Sequence, residues 1–337
     1  MKVAIPDSSA GFTSGWIDAC KKLGITVVRF DVYAPSAMAN ILKCDAFMWH
    51  WHHASTKDWL LARQLIMSAE MAGIRVFPNI NTCWHFDDKV GQKYMFEAVN
   101  VPAVKSWVFY EKESAIKWAR ITKYPLVFKL RSGAGAINVR LIHDLRQASA
   151  MIRKMFGAGF SASIFSDLTT AIRRKKRSGQ LWQKLLHAPS IIMAKLAQRK
   201  NLPRQNGYVY FQEFVPGNAY DTRIVVIGDR AVGIRRYCRP NDFRASGSGE
   251  ISYAKSDISE EVVKIAFESA RKICAQCAAF DFVQNERGEY LIVEVSYGFT
   301  VDAYAKCEGF WTSDMKWHNK PIEICEWMVR DLLNMAE

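Results

Sequence analysis

The sequence lacks a membrane-length apolar run and the common nucleotide-binding signatures, and we do not expect its first residues to be a cleavable leader. No hydrophobic stretch reaches the roughly 18 residues of a membrane span, and the N-terminal segment MKVAIPDSSAGF has no apolar region with a small-residue cleavage site. Neither GxxxxGK followed by Ser or Thr nor GxGxxG occurs, which disfavours a P-loop and a dinucleotide-binding Rossmann site. No Ser-His-Asp set stands out. We therefore expect a cytoplasmic protein outside those classes.

Acidic residues are missing from one long basic segment. Between Leu168 and Gly207 the chain has ten basic residues and no acid, and this segment supplies most of the net charge of +13. Apolar residues such as Trp182 are interleaved, as in an amphipathic helix pair on an anionic membrane surface. A solvated insertion is one alternative. A nucleic-acid patch is disfavoured because no recognition helix, RNA-stacking motif or zinc module accompanies it. We expect peripheral contact of residues 168–204 with the inner face of the membrane.

The length and the order of the apolar segments predict several domains. The chain has 337 residues, of which 50% are hydrophobic, enough for two or three domains. Over residues 1–80, the segments KVAI, TVVRF, CDAFMW and RVFPN alternate with helical stretches, which predicts a small open parallel sheet. A central lobe at 81–210, with a basic insertion at 160–206, and a C-terminal lobe at 211–337 would follow. Neighbouring antiparallel strands are predicted for YVYFQEFV, YDTRIVVIG and RAVGIRRYC.

Two carboxylates lie inside apolar segments near the C-terminus. A turn at 285–288 separates FDFV from YLIVEV, which predicts a β-hairpin with Asp281 and Glu294 facing each other. A buried carboxylate needs a positive partner. Glu294 and Ser296 are two apart on a strand and point to one face, as oxygen ligands for Mg²⁺ would. Ion pairs with arginines are the alternative, and the hairpin alone does not decide.

A small-residue loop follows a lysine at the end of the apolar strand PLVFKL. Lys129 precedes RSGAGA, in which the backbone N–H groups around Ser132, Gly133 and Gly135 can approach phosphates closely. An ordinary Gly-rich hairpin is the alternative. The loop therefore predicts a phosphate-covering flap only in combination with other nucleotide-binding residues.

Such residues follow in order along the chain. They are Asp88-Lys89, Lys129 with its loop, Gln212-Glu213-Phe214-Val215-Pro216-Gly217, Asp221-Thr222-Arg223, Arg235-Arg236, Phe243-Arg244, Asp281 and Glu294. The ordered set resembles the ATP-grasp superfamily, and within it the carboxylate–amine ligases that include the ribosomal-protein S6 glutamate ligase. The resemblance covers roughly residues 75–300. It implies an α/β and α+β architecture, with an N-terminal open parallel α/β domain and two lobes that clasp ATP.

The resemblance implies roles in binding ATP. Lys89 and Lys129 would contact its phosphates, because an ammonium on a flexible stem can track several oxygens. Asp221 would bind the ribose hydroxyls. The linker strand would read the adenine edge through Gln212, Glu213, Phe214 and Val215.

The resemblance also implies a catalytic set with one or two Mg²⁺ ions. Arg236 and Arg244 would bind the substrate carboxylate and the phosphoryl group in transit, since a guanidinium fits both bidentately. Arg223 would reach the phosphates or the acyl substrate. Asp281 and Glu294 would hold the metal.

Ser296 departs from the family pattern, which has Asn two residues after the second acid. A hydroxyl reaches less far than an amide, so this departure favours the alternative of a non-catalytic ATP-binding protein attached to a membrane or an acidic partner. As an enzyme, the chain would convert a carboxylate to an acylphosphate with release of ADP. An amine would then form an amide, with loss of phosphate.

The sequence indicates less about the two substrates than about the nucleotide. The cluster WHWHH at 49–53 ends the third strand, at the sheet edge where open α/β sheets bind ligands. Acceptor binding, local packing and metal ligation all stay open for it. The position of the basic segment suggests an acceptor amine or acid on a lipid-linked or surface-polysaccharide precursor. A homodimer is compatible with the sequence.

Overall fold

The structure is a computed structural model that describes residues 1–8, 11–52, 55–133, 139–160, 204–240, 242–245, 247 and 249–335. These residues form two compact units, Met1–Val104 with Val215–Glu337, and Lys105–Phe214. The three-part division made from the sequence stays a prediction. Gly135 and the basic segment 168–204, apart from Arg204, lie outside the described residues.

The first unit begins with a four-stranded parallel sheet in the order β2-β1-β3-β4. Its strands are β1 (Lys2–Pro6), β2 (Thr26–Phe30), β3 (Ala46–Met48) and β4 (Arg75–Phe77). The connecting helices are α1 (Thr13–Lys22), α2 (Ala37–Ile41) and α3 (Thr56–Met71). The Ser55 side chain caps α3 by accepting a hydrogen bond from the Asp58 N–H. The open parallel sheet predicted from the sequence is confirmed.

A second sheet of the same unit carries most of the candidate site residues. Its strands run in the order β13-β12-β9-β10-β14-β15, and β11 pairs with β10. They are β9 (Tyr220–Ile227), β10 (Arg230–Tyr237), β11 (Ile251–Ser252), β12 (Cys277–Gln284), β13 (Tyr290–Ser296), β14 (Phe310–Thr312) and β15 (Trp317–His318). The remaining helices of the unit are α4 (Ile80–Cys83), α5 (Lys89–Ala98), α8 (Glu260–Lys272) and α9 (Ile324–Leu333).

Strand β9 shows how this sheet separates its two faces. Ile224 and Val226 pack into one buried cluster with α8, whereas Val225 and Ile227 pack into the cluster that contains the parallel sheet. Successive side chains of a strand point to opposite faces. The alternation therefore places Arg223 on the second face, beside the larger core.

The second unit is built on a four-stranded antiparallel sheet in the order β5-β8-β6-β7. Its elements are β5 (Ser106–Phe109), α6 (Lys112–Ala119), β6 (Leu126–Lys129), β7 (Arg140–Ile142), α7 (Leu145–Met155) and β8 (Val209–Glu213). The antiparallel pairing of β9 with β10 is confirmed, but the prediction that β8 neighbours them was wrong. Both hydrogen-bonding edges of β8 are occupied, by β5 and by β6, and a strand has only two edges.

Within the described ranges, none of the helices combines the length and the apolar character that crossing a membrane requires.

Candidate active site

The two carboxylates in the C-terminal hairpin face each other. Strands β12 and β13 are antiparallel, with Asp281 opposite Glu294, and the register shifts by a bulge directly after Asp281. The hairpin and the facing acids were predicted from the sequence and are confirmed. The bulge bends the strand next to the two acids, a local feature that is common beside functional sites.

Asp281 belongs to a partly buried row of four charged side chains, which we call the charge row: Asp221, Arg223, Arg236 and Asp281. Arg223 donates from Nε and Nη2 to the two oxygens of Asp281, at 2.5 and 2.7 Å. Arg236 donates from Nε and Nη2 to Asp221, at 2.7 and 2.6 Å, and its Nη2 lies 2.9 Å from Asp281. Strand register explains the contacts, because Arg223 lies opposite Asp281 and Arg236 opposite Asp221.

The charge row gives its two carboxylates different acidities. Burial alone would raise the pKa of Asp281, but the positive charges of Arg223 and Arg236 outweigh burial and lower it. The pKa of Asp221 is raised, first by burial and then by the negative charge of Asp281, against the influence of Arg236. Asp281 is therefore the more firmly ionised of the two.

Glu294 forms an ion pair with a lysine, whereas Asp281 is paired with arginines. Its Oε1 lies 3.1 Å from Nζ of Lys89, the first residue of α5, and Nζ is 3.8 Å from Asp87. One turn further along α5, the side-chain amide of Gln92 forms two hydrogen bonds with the backbone of Val295, the residue after Glu294 on β13. Its Nε2 donates to the Val295 carbonyl at 2.8 Å, and its Oε1 accepts from the Val295 N–H at 3.3 Å. Helix α5 thus holds β13 through Lys89 and Gln92.

Asp281 and Glu294 are oxygen donors of the type that a magnesium ion binds, but both oxygens of Asp281 already accept from Arg223. Mg²⁺ prefers oxygen ligands and binds proteins through one or two carboxylates, and these two acids occupy facing positions. Ser296 is committed elsewhere, because its hydroxyl donates to the Gly298 carbonyl at 2.9 Å and accepts from the Gly298 N–H. No group of three or more His, Cys, Asp or Glu side chains suited to a metal occurs in the described part of the chain.

Arg244 lies on the loop after β10 and forms a local ion pair. Its Nε and Nη2 donate to the two oxygens of Asp242, both at 2.8 Å. Although burial alone would raise the pKa of Asp242, hydrogen bonds from Arg244 lower it. About one third of the Arg244 side chain is exposed, so the guanidinium is fixed at one edge and accessible.

In the second unit, residues that follow the basic segment contact Lys129 and the start of the Gly-rich loop. Lys129 is the last residue of β6, is buried and lies opposite Tyr210 on β8. The Arg131 N–H donates to the Tyr208 hydroxyl at 2.6 Å. Gln205 donates to Ser132 Oγ at 2.6 Å and accepts from the Tyr208 hydroxyl at 2.6 Å. Sequence reasoning missed Gln205 and Tyr208 as supports of the loop.

The predicted adenine-reading residues divide into buried and exposed side chains. Gln212 is buried and donates to Ser106 Oγ at 3.2 Å, whereas Glu213 ends β8 with an exposed side chain. Phe214 is half-buried and is the last residue of the second unit, and Val215 begins the second segment of the first unit. The adenine role of these residues stays a prediction.

The aromatic residues of the 49–53 cluster pack inside the first unit. Trp49 and Trp51 are buried, and Trp51 contacts the Phe86 ring edge-on, with centroids 4.8 Å apart. His50 Nδ1 accepts a hydrogen bond from the Phe12 N–H at 3.1 Å. These contacts support local packing for the two tryptophans. His53 lies outside the described residues.

Comparisons with known proteins identify similar folds and one similar sequence domain. Residues 187–309 match the family model of the RimK-like ATP-grasp domain. Similar solved structures include a RimK domain ATP-grasp protein from Sphaerobacter thermophilus (14% identity, TM-score 0.55, 99% of this chain and 100% of that one). They also include the D-cycloserine synthetase DcsG (12%, 0.60, 98% and 100%) and N5-carboxyaminoimidazole ribonucleotide synthetase from Thermotoga maritima (13%, 0.58, 99% and 76%). A search of curated protein sequences finds no match.

The chain therefore has the ATP-grasp fold, and the resemblance seen in the sequence motifs is confirmed. The part of the chain that is similar to the RimK-like ATP-grasp domain is residues 187–309.

Proposed function

We propose that the protein is an ATP-dependent, ADP-forming carboxylate–amine ligase. The observation that carries this proposal is the charge row, which brings two arginines to Asp281, the carboxylate that faces Glu294. Solved structures of the same fold support the binding of a magnesium nucleotide. The biotin carboxylase domain of 2-oxoglutarate carboxylase from Hydrogenobacter thermophilus has been solved with MgADP and bicarbonate, and the ligase PsnB with a precursor peptide and AMPPNP.

The proposed reaction has two balanced steps. A substrate carboxylate oxygen takes the γ-phosphoryl group of ATP, and ADP leaves. An amine then attacks the acylphosphate carbonyl, the bond between carbon and the phosphate oxygen breaks, and orthophosphate leaves as the amine loses a proton. The protein contributes positioning and charge neutralisation rather than a covalent nucleophile.

Each residue has a proposed part in this reaction. Lys89 and Lys129 bind phosphates, as do the backbone N–H groups of the Gly-rich loop. Arg223, Arg236 and Arg244 neutralise the carboxylate and the phosphoryl group in transit. Asp281 and Glu294 would hold Mg²⁺, which neutralises phosphate charge when bound. Asp221 binds ribose in the sequence-based assignment, although its contact with Arg236 suits an orienting role equally well.

Nucleotide product analysis tests the proposal. The protein is incubated with ATP, Mg²⁺ and a pool of amino acids, small acids and crude glycan precursors, and the nucleotides are measured by mass spectrometry. We expect ADP and orthophosphate to form only when the pool is present, and fractionation of the pool then identifies the acceptor. AMP as the product would contradict the acylphosphate route.

We further propose that the acceptor is carried by a lipid-linked or surface-polysaccharide precursor. The support is the run of basic residues interleaved with apolar ones at 168–204, which suits an anionic surface. Co-sedimentation with vesicles containing anionic lipid tests this part. The full chain is expected to bind at low salt, and a chain lacking 168–204 is expected to lose binding. Equal binding by both chains would remove the basis for a membrane-borne acceptor.

A non-catalytic ATP-binding protein is the second candidate, and Ser296 favours it. The hydroxyl that stands where the family pattern has Asn is turned to Gly298 and not to the facing acids. In the product analysis, this candidate predicts saturable ATP binding without ADP formation for any fraction of the pool.

A further inference from the structure

The Gln92 side chain pairs with the outer edge of β13 as a neighbouring strand would. In the part of the chain that the structure describes, β13 is the edge strand of its sheet. Gln92 is buried, donates from Nε2 to the Val295 carbonyl at 2.8 Å and accepts at Oε1 from the Val295 N–H at 3.3 Å. Its Nε2 also donates to the His85 carbonyl at 3.1 Å. Both donors of the amide are therefore used on backbone carbonyls.

A bulge decides which residue of β13 meets Gln92. Val293 is the extra residue of β13 relative to β12. Before it, Ile292 directs its N–H and carbonyl to the outer edge, where both bond to the backbone of a neighbouring segment. Backbone groups of alternate residues point to the same edge of a strand, so a regular strand would turn those of Glu294 outward next. The extra residue shifts this alternation by one, and Val295 turns outward to Gln92 instead.

The same bulge separates the core face of β13 from the site face. Ile292 and Val295 are both buried in the cluster that contains α8. Glu294 has 31% of its side chain exposed and lies opposite Asp281. In a regular strand, Ile292 and Glu294 would share a face, because successive side chains alternate. The two hydrogen bonds from Gln92 fit only the bulged register, in which Glu294 points away from the core.

We propose that Gln92 is a positioning residue for Glu294 as a ligand of the magnesium nucleotide. By pairing with Val295, Gln92 fixes the register that places the Glu294 carboxylate opposite Asp281 and 3.1 Å from Lys89 Nζ. Gln92 itself is assigned no contact with the nucleotide. The identity of the ligand rests on the metal-binding role proposed above for Glu294. Residues that orient a metal ligand typically change metal affinity by about 10- to 100-fold when they are substituted.

The magnesium dependence of nucleotide binding tests this role. Titration calorimetry measures the affinity of the full-length protein for AMPPNP in excess Mg²⁺ and in excess EDTA, and the ratio of the two affinities is the magnesium increment. Gln92→Met keeps the length of the side chain but removes all three hydrogen bonds. We expect Gln92→Met to reduce the magnesium increment about tenfold or more. The affinity in EDTA should stay at the wild-type value.

Gln276→Met is the matched control. Gln276 also pairs with the backbone beside a strand edge, since its Nε2 donates to the Val76 carbonyl at 2.9 Å and its Oε1 accepts from the Asn79 N–H at 2.7 Å. Val76 lies on β4 of the parallel sheet. Both substitutions should lower the melting temperature, because each leaves backbone groups without their partners. Only Gln92→Met should lower the magnesium increment.

Three results would overturn the positioning role. They are an unchanged magnesium increment in Gln92→Met, an equal loss in both variants, and a wild type whose AMPPNP affinity is the same with Mg²⁺ and with EDTA. If Gln92→Met does not fold, Gln92→Glu decides, because an ionised carboxylate can accept from the Val295 N–H but has no donor for the two carbonyls. It should show the same loss. Since no turnover is measured, a failure to form ADP would contradict the ligase proposal and not this one.

Discussion

Asp281→Asn is expected to lower the free energy of unfolding by about 3–5 kcal/mol, the usual cost of removing one partner of a buried ion pair. The substitution preserves shape but removes the charge that holds Arg223 through two hydrogen bonds and Arg236 at 2.9 Å. Arg236 would then keep Asp221, whereas Arg223 would lose its carboxylate partner. Urea denaturation of the full-length protein at neutral pH measures the loss.

The contribution of Asp281 to stability also has a defined pH dependence. The arginines lower its folded pKa below the unfolded value of about 3.9. Its contribution is therefore fully present above the unfolded pKa and is lost as the pH falls through the folded pKa. On acidification through that range, the wild type should lose more stability than Asp281→Asn.

Asp7→Asn is the matched control for this prediction. Asp7 pairs with Arg29 at 3.1 Å, but 60% of its side chain and 35% of that of Arg29 are exposed. Exposed pairs contribute between about 0 and 1 kcal/mol. If Asp281→Asn cost no more than Asp7→Asn, the charge row would not be a stabilising element of the sheet.

Glu294→Gln is expected to reduce ADP formation by at least about 100-fold, the range found when one electrostatic contact to the transition state is lost. The free energy of unfolding should change by less than about 1 kcal/mol, because 31% of the Glu294 side chain is exposed and Lys89 keeps Asp87 at 3.8 Å. Product analysis by mass spectrometry and urea denaturation on the same preparation measure both quantities.

Glu289→Gln makes the same chemical change on the same hairpin. Glu289 is exposed and accepts a hydrogen bond from Asn285 Nδ2 at 2.6 Å, so its substitution should leave ADP formation unchanged. Full activity of Glu294→Gln would contradict the metal-binding role proposed for Glu294. If Glu294→Gln were unfolded, the Glu294 carboxylate would be needed for the stability of the hairpin.

These predictions assign different consequences to two acids that face each other across one hairpin. Asp281 is held by two arginines, whereas Glu294 contacts one lysine and has 31% of its side chain exposed. The difference comes from neighbouring strands and from helix α5, which are distant in sequence. Of the two carboxylates, Asp281 is therefore the one whose loss should affect the stability of the fold more strongly.

Local pattern was sufficient for much of the fold. The alternation of apolar strands with helices predicts the parallel sheet, and the turn at 285–288 between two apolar strands predicts the hairpin and the facing acids. Helix α8 begins after Ser259, whose hydroxyl accepts from the Glu261 N–H at 3.2 Å. Each of these features depends on periodicity or capping within a short segment.

Several functional neighbours had only weak signals in the sequence. Gln92 lies three residues after Lys89, so helical spacing places both on one face of α5, but nothing local shows that this face meets β13. Gln205 and Tyr208 precede β8 and belong to no motif. The roles of these residues depend on contacts with segments that are distant in sequence.

By itself, the sequence determined the order of the site residues, the facing positions of Asp281 and Glu294, and the ATP-grasp resemblance. Only the tertiary structure decided that Asp281 is held by Arg223 and Arg236, that Ser296 turns to Gly298, and that β8 pairs with β5 and β6. The physical reason is that a strand pattern specifies which side chains share a face but not which strand lies beside it. Cross-strand register supplies the partner of each charge.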